Sequence, residues 1–124
     1  MGIERFCLAV GSVSGLLAVA AGAFGAHALK SRLTADMLAV FETGARYQMY
    51  HALALLACAW AAAKWPGPLP TAAACLFVCG TILFSGSLYA LSLTGARGFG
   101  AVTPIGGLAL LAGWACLAIA ALKG

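Results

Sequence analysis

Seven side chains in this sequence could do chemistry, and all fall inside or beside long apolar stretches. They are His27, Arg46, Tyr47, Gln48, His51, Ser85 and Tyr89. Gly44, Tyr47, Gln48 and His51 recur at helical spacing, and Tyr47 to His51 is one turn. Ser85 and Tyr89 are a turn apart on a later segment. Ionisable groups at membrane depth need partners and mark function. An imidazole titrates near neutral pH, so His51, the deepest of the set, could hold or pass a proton. Together the seven are expected to line a polar cleft opening to one membrane face. A second reading stands beside it: the same groups bond between helices and only fix the packing. Such bonds contribute about 0.6 kcal/mol on average in membrane helices.

The elements that must position these residues follow from where charge is absent. Of 124 residues only ten are Asp, Glu, Lys or Arg. Crossing the hydrocarbon core takes about 20 apolar residues in a helix. Stretches of that length run over about 6–28, 44–64, 70–92 and 103–122. The expectation is an all-α membrane protein of one domain, 1–124, with four transmembrane helices in an antiparallel bundle. It is multi-pass and placed in the cell membrane. A cleaved signal peptide has an apolar core of roughly 7–15 residues. The first stretch is longer, so it is expected to be retained as a span.

Punctuation supports these limits. Pro66-Gly67-Pro68-Leu69-Pro70 forms a turn that no helix passes, with Trp60 and Trp65 beside it at interfacial level. Thr103-Pro104 opens the last helix, where a missing proline N–H costs nothing. Between the first two spans, Thr34 can cap a helix with Asp36 in its first turn. Leu33, Met37, Val40 and Phe41 share one face there, which predicts a short amphipathic helix lying at the interface. It either bends near Gly44 or runs on into the second span. Basic residues divide almost evenly, with Arg5, Lys64 and Lys123 on one face and Lys30, Arg32, Arg46 and Arg97 on the other. The positive-inside rule therefore does not fix orientation.

Helix association in lipid depends on close contact between small residues. Gly11, Gly15, Ala18, Gly22 and Gly25 make one stripe on the first span. Gly106, Ala109, Gly113, Cys116 and Ala120 make another on the last. The glycines at 11, 15, 22, 25, 106 and 113 are the expected packing positions.

Other chemistries find little support. The five cysteines lack the Cys-x-x-Cys spacing of structural zinc sites and read as small apolar packing residues, so no metal is expected. No phosphate loop, nucleophile–base pair or haem or flavin motif is present, so neither a cofactor nor catalysis is expected. The net charge of +4 fits loops near anionic lipid, and no basic stripe interleaved with aromatics suggests nucleic acid.

Four blocks together are specific. They are Gly22-Ala23-Phe24-Gly25-Ala26-His27-Ala28-Leu29-Lys30, then Phe41 to His51, then Phe84-Ser85-Gly86-Ser87-Leu88-Tyr89, and finally Thr103-Pro104-Ile105-Gly106-Gly107 with Gly113-Trp114. In this order the chain resembles the domain of unknown function 423 family, which includes YgdD-like bacterial inner-membrane proteins and eukaryotic transmembrane protein 256. The resemblance implies a small, uncharacterised membrane protein, in the cytoplasmic membrane if bacterial. It supplies no catalytic residues. The expected role is structural or accessory, with membrane lipids, a homo-oligomer or a larger membrane complex as partners. The alternative is a small-solute, proton or lipid transporter or binder that uses the polar cleft.

Overall fold

A computed structural model describes all residues, Met1 to Gly124. Helix α1 runs Ile3–Phe24 and continues into one wide π-helical turn, Gly25–Leu29. Helix α2 runs Ala35–Lys64 and α3 runs Pro68–Thr94. A 3₁₀ turn, Arg97–Ala101, then leads into α4, Thr103–Lys123.

The boundaries have local causes. Thr34 is extended and its hydroxyl accepts from the Met37 N–H at 3.2 Å, satisfying one orphan donor of α2. Gly67 precedes α3 at φ 146°, and proline then occupies the first helical positions, where no intrahelical donor is needed. Gly95 ends α3 at φ 72°, in the left-handed region that favours glycine, and its N–H bonds the Leu91 carbonyl.

Two expectations are corrected here. No separate amphipathic helix exists: residues 35–43 are the first turns of α2, which passes through Gly44 without interruption for 30 residues. Phe41 is buried rather than lying at an interface, with its ring 5.0 Å from Tyr89 and 6.4 Å from Phe24. Nor do four helices qualify as membrane spans. Three segments are long and apolar enough to cross a bilayer, Ile3–Leu29, Pro68–Thr94 and Arg97–Lys123, each 27 residues long. Helix α2 is long enough but not apolar enough, because Asp36, Glu42, Arg46, Gln48, His51 and Lys64 dilute it. Its neighbours cover it instead: 11 of its residues are buried, against three in α1.

The arrangement is an open row rather than a closed bundle. Almost all packing of α1 is on α2; α2 packs on α3, and α3 on α4. Neighbours run antiparallel, with Gly11 of α1 against Ala52 and Leu55, Gly44 against Ser85 and Tyr89, and Gly80 against Leu110. The central core gathers Cys7, Leu55, Cys58, Ala73, Phe77 and Leu110. Outer faces remain apolar and uncovered, with Leu16 of α1 and Leu108 and Leu111 of α4 each 67% exposed.

Glycines differ sharply in what they touch. A Cβ on Gly106 would collide with the Phe84 backbone nitrogen, and one on Gly113 would lie 2.7 Å from the Phe77 ring. At Gly11 it would come within 2.9 Å of the Ala52 carbonyl, and at Gly25 within 3.0 Å of Phe41. Gly15 has only ordinary contacts, the nearest at 3.8 Å, and Gly22 has nothing within 4 Å.

Candidate functional site

Helix α2 carries most of the polar residues, and a helix advances about 100° per residue. Gln48 and His51, three residues apart, lie only about 60° from each other around the axis, yet they take different partners. One expected cleft is split into two polar clusters on neighbouring edges of one face of α2, both reaching α3.

The first cluster joins three helices through one amide. Gln48 Nε2 donates to the Ser14 carbonyl of α1 at 3.0 Å and lies 3.4 Å from its hydroxyl. The Tyr89 hydroxyl of α3 donates to Gln48 Oε1 at 2.6 Å. One turn away, the Ser85 hydroxyl donates to the Gly44 carbonyl at 2.7 Å. Gly44 has no side chain to obstruct this approach; a Cβ there would stand 2.9 Å from the Tyr89 ring. Above the cluster lies a groove of about 560 Å³ between α1 and α3, walled by Val13, Leu17, Val78 and Ile82.

The second cluster centres on His51, which is buried. Its Nδ1 donates to the Tyr47 carbonyl at 2.7 Å, and its Nε2 accepts from the Trp114 indole N–H at 3.0 Å. A carbonyl only accepts and an indole N–H only donates, so the ring is the neutral Nδ1–H tautomer. Phe77 packs beneath both rings, 5.5 Å from His51 and 5.1 Å from Trp114. A groove of about 690 Å³ opens here between α2 and α4, lined by Tyr47, Tyr50, Phe84, Pro104, Gly107 and Leu111 among others.

Of the seven residues expected to share a cleft, Gln48, Ser85 and Tyr89 are brought together, and Tyr47 and His51 form the other group. His27 and Arg46 join neither. His27 is exposed, because the π-helical turn carries an extra residue and directs Gly25 and Leu29, both buried, toward the interior instead. Arg46 is also exposed, on a shallow depression with Glu42, Ala18 and Gly22.

Sequence reasoning missed Ser14 and Trp114 as members of these clusters. Ser14 lies with Ser12 between Gly11 and Gly15 in an otherwise apolar run. Trp114 lies mid-helix, unlike Trp60 and Trp65, which stack edge-to-face at the opposite end. Hydroxyls within a small-residue stripe, and an indole far from any interface, were the available signals. A third link, Ser87 Oγ to Thr103 Oγ1 at 2.6 Å, fastens α3 to α4. Every buried side-chain nitrogen and oxygen has a hydrogen-bond partner.

The family "Protein of unknown function (DUF423)" matches residues 21–107. The "UPF0382 membrane protein YwdK" of Bacillus subtilis (strain 168) is 45% identical over 115 residues, covering 92% of this chain and 94% of its own. The "UPF0382 membrane protein SSP2132" of Staphylococcus saprophyticus is 43% identical over 120 residues, covering 92% and 94%. The "UPF0382 inner membrane protein YgdD" of Escherichia coli (strain K12) is 40% identical over 120 residues, covering 97% and 92%. No solved structure matches. With these relatives and three helices able to cross a bilayer, the chain is a multi-pass membrane protein that belongs to the DUF423 family.

Proposed function

We propose that this protein is a non-catalytic accessory component of a membrane assembly. What supports the reading is how its polar groups are used. Ser14, Gln48 and Tyr89 bond to one another across three helices, and His51 bonds to Trp114 across two. A transport path needs polar groups free to exchange partners with a solute; these are already paired within the chain. Their effect is to hold the helices in one arrangement. That arrangement leaves α1 and α4 at the ends of a row, each with an apolar outer face that needs another surface or lipid against it.

Two measurements test the reading. Photo-reactive residues at Leu16 and Val19, both on the exposed face of α1, should give one discrete cross-linked product in native membranes. Native mass spectrometry from mild detergent should then report an assembly of fixed composition, either with a second copy or with a different chain. A monomer carrying only lipid, with diffuse cross-linking, would sink the accessory role.

A further inference from the structure

The groove between α2 and α4 differs in lining from the one between α1 and α3. One wall is a run of rings: Tyr50 and Tyr47 at 5.4 Å, then Tyr47 and Phe84 at 4.9 Å between centroids. The facing wall is Pro104, Gly107, Leu108 and Leu111, kept low by the missing side chain at 107. The floor is the His51–Trp114 pair. From Pro104 to Trp114 the helical rise is about 15 Å, so the groove ends well short of a full bilayer crossing. Its volume of about 690 Å³ suits a small molecule, since such sites run to roughly 300–1,000 Å³.

The hydrogen-bonding groups in this lining sort into used and unused. Both nitrogens of His51 and the Trp114 N–H are paired inside the chain. Of the three tyrosines, only Tyr89 places its hydroxyl on a partner within the chain. Tyr47 and Tyr50 thus bring two free hydroxyl donors to a ring-lined slot beside the spans α3 and α4. In the groove between α1 and α3, by contrast, Gln48, Ser85 and Tyr89 are all engaged with protein partners.

We propose that the α2–α4 groove binds a lipid-soluble quinone-type ring, planar and apolar on its faces with carbonyl oxygens at its edge. The flat faces lie against the aromatic wall, where ring–ring contact adds to the burial of apolar surface. The edge oxygens accept from the tyrosine hydroxyls. A saturated acyl chain would leave both donors unbonded in an apolar setting, which is unfavourable. Another spanning helix is too long for a slot that Trp114 closes. The site goes beyond the accessory role and stands with or without a partner chain.

The test uses the full chain in phosphatidylcholine nanodiscs with Trp60→Phe and Trp65→Phe, leaving Trp114 as the single indole reporter. Ubiquinone-1 and menadione are titrated while Trp114 fluorescence is followed. The expected result is saturable quenching whose half-point rises about tenfold in Tyr47→Phe/Tyr50→Phe, the loss expected for hydrogen-bond donors to a bound acceptor. Gly107→Leu should abolish the saturable part by filling the slot; a Cβ there meets Phe84 at an ordinary 3.7 Å, so the backbone need not shift. If Gly107→Leu fails to fold, the tyrosine pair alone decides, because removing two hydroxyls disturbs no contact within the chain. Quenching that rises linearly and equally in all variants would mean simple partitioning into lipid and overturn the site. Saturation unchanged by the tyrosine substitutions would show that the hydroxyls do not hold the ring's oxygens and overturn the proposed recognition.

Discussion

Trp114 donates its indole N–H to Nε2 of His51 at 3.0 Å, and this contact ties the middle of α4 to the middle of α2. Few other contacts join these two helices, which are otherwise held together through α3. The bond therefore fixes both a tautomer and a distance.

Replacing Trp114 with Phe keeps the ring but removes the donor, leaving Nε2 of a buried imidazole without its partner. The expected cost is about 1 kcal/mol, between the average for membrane helices and the value for a stranded buried acceptor. Thermal or denaturant unfolding in detergent would measure it. Nitrogen-15 shifts of His51 should show the Nδ1–H form in the parent protein and a mixture in Trp114→Phe; a mixture in both would refute the assigned tautomer.

Gln48→Leu should destabilise the fold more than Tyr89→Phe, because the amide serves both Ser14 and Tyr89 while the phenol serves only Gln48. The double variant should be less harmful than the sum of the two, by about 0.5–1 kcal/mol, since the partners share one bond. Strict additivity would show that the Gln48–Tyr89 bond carries no weight.

The glycines provide an internal comparison. Gly106→Ala puts a methyl group into the backbone of α3 at Phe84 and should cost several kcal/mol or prevent folding. Gly22→Ala meets nothing and should be neutral or stabilising, by up to about 1 kcal/mol from helix propensity. Similar melting temperatures for the two would contradict the close α3–α4 packing.

His27→Ala and His51→Ala should also diverge. His27 is exposed on the π-helical turn, so its loss should leave stability within about 0.5 kcal/mol of the parent. Losing His51 strands the Trp114 N–H and opens a cavity over Phe77, and the melting temperature should fall clearly. Equal effects would show that the π-helical turn does not hold His27 outside.

The long apolar helices were legible from length and the absence of charge, because lipid imposes those requirements on every residue of a span. Helix α2 was harder to read for two reasons. Gly44 looks like a break when read locally, yet its missing side chain is what admits the Tyr89 ring. Phe41 shares a face with Leu33 and Met37, which suggests an interface; only the position of Phe24 and Tyr89 shows that this ring is enclosed by protein. The polar residues expected in one cleft divide into two clusters, with His27 and Arg46 in neither. Residues 47 and 48 are adjacent in sequence and both touch α3, yet Gln48 also reaches α1 while Tyr47 lines the groove toward α4, and which neighbour lies where is a tertiary fact. Trp114 shows the same limit, since nothing along α4 reveals that its N–H meets a histidine 63 positions earlier.

Because α1 leans almost wholly on α2, it is an outer helix that can leave without loosening the others. Peeling the first helix away severs Ser14 from Gln48 and uncovers Ala52 and Leu55, while the remaining three keep their mutual grip. Loss of structure therefore begins at one edge and need not be all-or-none.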